Sequence, residues 1–224
     1  MTLPFVPIPQ QAPVREGLID VGDAKLWHWD TSGDGEAVVL CHPASQSSEI
    51  WLYQQPVLAA AGFRVVGYSR RGVFKSERGH ADAAASQVSD LARLMDCLGI
   101  ATAHVVGAAA GGTIFSPDED EWRQAYAHLG IAVARDKGMQ SDFLELGPSY
   151  RLSHPEGVAK FNELEHRGKA SGPAVNLPIG AAVTWTSIRA SLVPTLLLTG
   201  EADLFAPPPL QELVARHMPL HQME

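Results

Sequence analysis

The stretch AHVVGAAAGG, residues 103–112, joins an apolar run to a turn flanked by glycines. Residues 103–106 are typical of a buried strand, because the valines favour extended backbone and no Asp, Glu, Lys or Arg interrupts them. The turn reads GAAAG over residues 107–111, which has the spacing of G-x-S-x-G, a sharp strand-to-helix turn that presents a nucleophilic serine. Alanine stands at its centre, at position 109, so the pattern predicts a catalytic turn without its nucleophile.

The composition is that of an ordinary folded protein. The chain has 224 residues, 46% hydrophobic and 19% charged, which predicts one globular domain with room for an insertion. A net charge of −8 and the lack of Lys/Arg runs argue against nucleic acid or an anionic membrane as partner. No apolar stretch approaches a membrane span, and the proline-rich start does not resemble a signal peptide. Cys41 and Cys97 are predicted as two buried free thiols, so we expect a cytoplasmic protein.

Apolar runs alternate with helical segments through the first half of the chain. Strands are predicted at residues 36–42, 63–69 and 103–107, with helices at 52–62 and 90–99. Ser89 is predicted to cap the second helix. A further apolar run at 193–200 predicts another strand, and we expect all four runs to be neighbouring inner strands. Since parallel strands need helical crossovers, this rhythm predicts an α/β fold with a doubly wound, mostly parallel sheet.

The middle of the chain has a helical character. Capping patterns at Ser116 and Ser153 predict helix starts, and no buried strand run occurs from about residue 120 to 190. We therefore predict a helical insertion between two parts of one α/β core. The predicted core parts and the insertion between them are residues 1–115, 191–224 and 116–190.

Four segments, in this order, resemble the α/β-hydrolase superfamily. They are CHPASQSSEIW at 41–51, VVGYSRRGVFKSE at 65–77 with Arg71, Gly72 and Ser76 in matching places, the turn at 107–111, and VPTLLLTGEADLFAPP at 193–208. The resemblance covers most of the chain. It implies the α/β-hydrolase fold, with a doubly wound, mostly parallel sheet, and it identifies the helical insertion as a lid.

The same resemblance implies a site for acyl transfer. Ala109 stands at the nucleophile position and Asp203 at that of the triad acid. The amides of Ala44 and Ala110 stand where oxyanion donors are expected, and His42 begins the oxyanion loop. The expected substrate is a small apolar carbonyl compound, an ester, lactone or diketone, bound beneath the lid. No cofactor is expected, and no metal, since no histidine spacing matches a metal motif; a homodimer is left open.

Three departures from the family pattern bear on this chemistry. Ala109 has no oxygen, so no acyl-enzyme can form there. Pro43 stands where the family has a glycine, which removes one backbone donor. No histidine matches the triad base, which the resemblance places in a further loop after Glu224.

A fourth departure is one of length. Only Thr113, Ile114 and Phe115 lie between Gly112 and Ser116. A crossover helix, a strand and their turns need roughly 20–25 residues at average element lengths. We therefore expect a helix and most of a strand to be missing here, through a deletion or the joining of separate segments. The connection itself is expected to be broken or irregular.

The site residues also have structural interpretations. Asp203 could order a turn or cap the next helix, and His42 could order its loop through hydrogen bonds. Ser45, Ser47 and Ser48 are interpreted as loop polarity rather than as substitute nucleophiles. Three functions remain open: an acyl hydrolase that needs serine at position 109, a nucleophile-free lyase, cyclase or cofactor-free oxygenase, and a non-catalytic protein that binds small molecules.

Overall fold

A computed structural model describes residues 6–80, 85–115, 119–130, 137–169, 175, 177–180 and 182–224. The chain groups into two compact units. The sheet unit comprises Leu3–Ile114 and Ala159–Gly180, and the helical unit comprises Met1–Thr2, Phe115–Val158 and Ala181–Glu224. The first division lies beside the predicted boundary at 115, whereas 191–224 groups with the helical unit. The three-part domain division stays a prediction.

The sheet unit contains a five-stranded sheet in the order β1-β2-β4-β3-β5. Its strands are β1 Arg15–Asp20, β2 Lys25–Asp30, β3 Ala37–Cys41, β4 Arg64–Tyr68 and β5 Ala103–Gly107. β1 and β2 form an antiparallel hairpin, and β2 also pairs antiparallel with β4. β3 pairs in parallel with β4 on one edge and with β5 on the other. The predicted parallel arrangement of the first three apolar runs is confirmed.

Helices cover both faces of this sheet. The two helices are α1 Gln54–Ala60 and α2 Gln87–Cys97. All five residues of β3 are buried, and successive side chains point to opposite faces. Val39 packs in one apolar cluster with Leu94 of α2, whereas Leu40 packs in another with Leu58 of α1. Because both faces are covered, the strand needs no alternation of polar residues, which explains its continuous apolar run.

The start of α2 differs from the prediction. The N-cap is Ser86, whose hydroxyl accepts the N–H of Ser89 at 3.0 Å. The Ser89 hydroxyl in turn accepts the N–H of Ser86 at 2.8 Å, which completes a capping box. The prediction of Ser89 as the cap is therefore wrong, because its side chain serves the third position of the helix.

The remaining elements come after the elbow turn. They are α3 Asp120–Ala127, α4 Ser141–Glu145, α5 Pro148–Ser153, α6 Pro155–Gly168, α7 Trp185–Ala190, β6 Thr195–Leu197, α8 Pro208–Ala215 and β7 His221–Met223. Ser116, predicted as a cap, lies outside the described residues. Ser153 ends α5 instead of capping the following helix, which begins at Pro155, a residue suited to a first helical position.

The run at 193–200 does not join the five-stranded sheet. Its strand, β6, has three residues and pairs in parallel with β7 in a separate two-stranded sheet. Leu196 and Leu198 are 54% and 67% exposed. Over the described ranges, the expectation of four neighbouring inner strands is therefore wrong for this run, because no strand is present to continue the sheet from β5.

The segment after β5 is short and helical. Residues Ala109–Phe115 form a continuous 3-10 helix, so the expected break is not observed. In the described part of the chain, no strand lies between β5 and α3. A parallel strand beside β5 would need a crossover of a dozen residues or more, for which the segment is too short. β5 is therefore the last strand of its sheet, and its Val106 is 40% exposed.

Two observations bear on the environment of the protein. Both cysteines are free thiols, as predicted; the prediction that both are buried is confirmed for Cys41 and wrong for Cys97, which is exposed on the helix α2. None of the helices in the described ranges is both long enough and apolar enough to cross a membrane. The cytoplasmic location stays a prediction.

Candidate active site

The turn after β5 has the backbone of a nucleophile elbow. Ala109 adopts a φ of +47°, a left-handed conformation that costs an L-residue roughly 1–2 kcal/mol. Ala109 is exposed, whereas Gly111 is buried. A Cβ on Gly111 would overlap the carbonyl oxygen of Cys41, and the N–H of Ala108 donates to that same oxygen at 3.1 Å. The turn thus packs against the end of β3 and holds position 109 at a strained, exposed tip.

His42 follows β3 and is fully buried. Its Nδ1 lies 2.7 Å from the carbonyl oxygen of Pro43, and its Nε2 accepts the backbone N–H of Arg70 at 3.0 Å. These partners assign a neutral ring with its proton on Nδ1. Burial, aided by the Arg70 charge, lowers the pKa of His42 to about 3. These contacts are those of the structural interpretation, in which His42 orders its loop, and its role at the oxyanion or substrate site stays a prediction.

Ala44 lies at the tip of a turn. The N–H of Gln46 donates to the carbonyl oxygen of Pro43 at 3.3 Å, which places Ala44 second in the turn. That hydrogen bond does not use the Ala44 amide, and the residue is exposed. The loop and the elbow both pack at the end of β3, so Ala44 and Ala110 belong to one region of the sheet unit. Their role as oxyanion donors stays a prediction.

The residues that match the segment at 65–77 brace the loop after β4. Arg71 donates through Nε and NH2 to the two carboxylate oxygens of Asp90 at 2.7 and 2.8 Å. Its NH1 donates to Asp23 at 2.7 Å and holds the pKa of that carboxyl below its usual range. The Ser76 hydroxyl donates to the carbonyl oxygen of Ser69 at 2.6 Å. These contacts join the loop to the hairpin and to α2, so this motif acts structurally.

Asp203 lies in the helical unit, after β6. Its Oδ1 accepts the N–H groups of Phe205 and Ala206 at 2.7 and 2.9 Å. A side-chain carboxylate that accepts the amides two and three residues ahead orders the turn, here the one that leads into α8. The structural interpretation of Asp203 therefore has direct contacts behind it, and the role of triad acid stays a prediction.

The sequence analysis missed contacts that fix the loop after β3 to residues far away in the sequence. Gln46 is 1% exposed, and its Nε2 donates to the carbonyl oxygen of Phe161 at 3.3 Å. Glu49 pairs with Arg167 at 2.5 Å. These partners are 115 and 118 residues apart in the chain, so no local spacing connects them.

The comparisons with known proteins match the part of the chain that carries this site. Residues 36–116 match the family model of the alpha/beta hydrolase fold. A Caulobacter sp. protein provisionally designated carbamate hydrolase RutD is 39% identical over 87 residues, 38% of this chain and 32% of that protein. A Mycobacterium tuberculosis protein provisionally designated non-heme bromoperoxidase BpoC is 32% identical over 87 residues, 38% and 33% of the two chains. The matched part spans about a third of the length of these curated relatives.

Solved structures extend the likeness over nearly the whole chain. The esterase EaEST from Exiguobacterium antarcticum superposes with a TM-score of 0.66, covers 92% of this chain and 89% of its own, and is 17% identical. At that identity the likeness concerns the fold alone. The elbow, the loop of His42 and their strands all lie within the range of the family match. The chain therefore has the α/β-hydrolase fold, and its residues 36–116 match the model of that family.

Proposed function

We propose that this protein is an α/β-hydrolase-fold enzyme whose site is built for acyl chemistry on a small apolar ester, lactone or diketone. The observation that carries the proposal is the strained, exposed Ala109 at the elbow, packed against the strand that leads into His42. Backbone strain of this kind persists only where the surrounding structure imposes it, and it concentrates at functional sites.

The chemistry requires an oxygen at position 109. A serine hydroxyl there would attack the carbonyl carbon and give its proton to an imidazole, which is supplied in solution because no histidine of this chain is assigned as the base, and a tetrahedral oxyanion would form. Collapse of that intermediate expels the alcohol with a proton, and water then releases the acid. We assign the oxyanion to the amides of Ala44 and Ala110, and the orientation of the base to Asp203. His42 is not that base, because its ring is buried and fully hydrogen bonded.

Alanine at position 109 favours a second candidate. Its methyl group leaves the tip of the elbow without a nucleophile, yet the strained backbone is retained. Such a site suits a lyase, a cyclase or a cofactor-free oxygenase, in which the substrate itself occupies the space next to the elbow. The same class of small carbonyl compound would bind in both cases.

The substitution Ala109→Ser tests the first candidate. With imidazole supplied in solution as the base, we expect Ala109→Ser to hydrolyse phenyl acetate faster than the unaltered chain does in the same imidazole. Without imidazole the gain should be small, because loss of the histidine alone costs a serine hydrolase about as much as loss of the whole triad. A fluorophosphonate probe should then label position 109. The matched control is Ala108→Ser, one residue earlier, where the side chain packs in the apolar cluster of Leu40.

The outcomes separate the candidates. If Ala109→Ser neither hydrolyses phenyl acetate nor takes the label, while the compound still binds, the nucleophile-free enzyme or a binding protein replaces the acyl hydrolase. If phenyl acetate binds neither protein, the proposed substrate class is wrong. Equal labelling of Ala108→Ser and Ala109→Ser would contradict the assignment of the elbow.

A further inference from the structure

The loop that carries Ala44 is contacted on one side by a helix that lies far away in the sequence. This loop, residues 42–48, is called the His42 loop. It exposes Ala44, whereas Gln46, Ser47 and Ser48 are buried to 1% exposure or less. Because protein interiors are closely packed, the position of the Ala44 amide also depends on what packs against the buried side of this loop.

The C-terminal part of α6, residues 159–168, makes three contacts with that side. Its Phe161 carbonyl accepts the Gln46 side chain at 3.3 Å. Gly168 lies so near that an added Cβ would be 3.3 Å from the Cβ of Ser47. Arg167 pairs with Glu49, the first residue past Ser48, at 2.5 Å. All three contacts fall within the sheet unit.

The same helix end is also fixed to the loop after β4. The N–H of Phe74 donates to the Gly168 carbonyl at 2.8 Å, and Val73 forms an antiparallel bridge with Lys169. Arg70, in this loop, donates its N–H to His42. The end of α6 is thus fixed by the loop after β4 and also contacts the His42 loop. It can therefore limit where the His42 loop lies.

The charges around Glu49 make Arg167 the principal contact. Burial raises the pKa of Glu49, and the cations of Arg167, Lys75 and Lys160 oppose this shift, while Glu16 adds to it. One oxygen of Glu49, Oε2, is buried and has no hydrogen-bond partner among the residues that the structure describes, and Oε1 accepts from Arg167. Arg167 therefore supplies the close positive charge that this carboxylate needs in its partly buried place.

We propose that Arg167 and Gln46 are positioning residues, which hold the His42 loop so that the Ala44 amide is directed at the carbonyl oxygen of a bound substrate. The inference rests on the proposed function, which assigns that amide to the oxyanion. It adds a specific dependence of the site on α6, a helix from a region 115 residues further along the chain than Gln46.

Amide hydrogen exchange tests the positioning itself. In Arg167→Met we expect exchange of the amides at 44–48 to speed up about threefold, the size expected for loss of one partly exposed ion pair. Arg167→Lys keeps the charge and should restore most of the protection. The control is Lys169→Met, which removes a cation two residues later whose side chain pairs with Glu165. Unchanged exchange at 44–48 in Arg167→Met would overturn the proposal.

Ligand binding tests the link to the site. Phenyl acetate is titrated into the unaltered chain and into Arg167→Met, and the amide resonance of Ala44 is followed. We expect this resonance to shift on binding, and the dissociation constant to rise about threefold in the variant. In the Ala109→Ser background, Arg167→Met should lower kcat and raise KM by no more than the same threefold factor, since KM follows the dissociation constant when chemistry is slow, with recovery of both in Arg167→Lys.

The two proposals can fail separately. If Ala109→Ser is inactive but Arg167→Met still loosens the loop and weakens phenyl acetate binding at Ala44, the hydrolase function fails and the positioning role stands. If Ala109→Ser is active and Arg167→Met changes neither kcat nor the Ala44 resonance, the positioning role fails and the hydrolase function stands.

Discussion

β3 and β6 both come from uninterrupted apolar runs, AVVLC and TLL, yet they differ in burial. β3 has a parallel neighbour on each edge and a helix on each face, and all its residues are buried. β6 has one partner strand, and its central Leu196 is 54% exposed. The difference shows that an apolar run predicts a strand that is stabilised by burial, whereas the neighbouring strands and helices decide whether that strand is buried.

β5 lies between these extremes. It pairs with β3 along its full length, from Ala37–Ala103 to Cys41–Gly107, but it ends the sheet. Its residues are only partly buried, although the run AHVVG reads like that of an inner strand. β5 is exposed because the connection after the elbow is too short for a crossover to another parallel strand. This exposure supports the expectation that a helix and a strand are missing here.

The largest expected effect contrasts the two strands directly. Leu40→Ala removes a fully buried side chain from β3, so we expect the free energy of unfolding to fall by about 4 kcal/mol. Leu196→Ala in β6 should cost no more than about 0.5 kcal/mol, because that side chain is already half exposed. Urea unfolding followed by tryptophan fluorescence measures both. Similar costs for the two variants would contradict the difference in burial.

A second contrast concerns glycines near the ends of the two strands. Gly111→Ala would drive a Cβ into the Cys41 carbonyl at the end of β3, so we expect a loss of about 3 kcal/mol and displacement of the elbow. Gly200, just past β6, has open space around its Cβ position, and Gly200→Ala should change stability by less than about 0.5 kcal/mol. The same urea titrations apply. A tolerated Gly111→Ala would mean that the elbow does not pack on β3.

The smallest effect sharpens the description of the end of β3. His42 is neutral when folded, because burial lowers its pKa to about 3, whereas in the unfolded chain it takes up a proton with the ordinary histidine pKa of 6.5. Its contribution to stability is therefore complete above pH 6.5 and declines as the pH falls from there towards 3. By linkage, we expect the unfolding free energy to be about 1.3 kcal/mol lower at pH 5.5 than at pH 7 from this group.

The variant His42→Asn provides the comparison for this prediction. It removes the titrating ring, so the decline between pH 7 and pH 5.5 should be smaller by that amount, whatever the variant costs at pH 7. Urea midpoints at the two pH values give the difference. A decline of equal size in both proteins would show that His42 binds its proton equally well in the folded state.

Local sequence patterns were sufficient to predict the backbone conformation of the candidate site. The GAAAG spacing predicted the elbow, and the structure has the positive φ of Ala109 at its centre. The runs at 36–42 and 63–69 predicted two inner strands, because continuous apolar residues favour burial on both faces. Errors at this level were small in extent: the cap of α2 lies at Ser86 instead of Ser89, since either serine can begin a capping box.

The sequence by itself thus determined the strands around β3, the elbow and the absence of an oxygen at position 109. Only the tertiary structure decided that His42 is enclosed, that β6 lies in a sheet of its own, and that Arg167 reaches Glu49. The physical reason is the range of the interactions. Backbone conformation follows from neighbours a few residues away, whereas burial and ion pairing depend on segments further along the chain, 28 residues apart for His42 and Arg70 and 118 for Glu49 and Arg167, which no local spacing encodes.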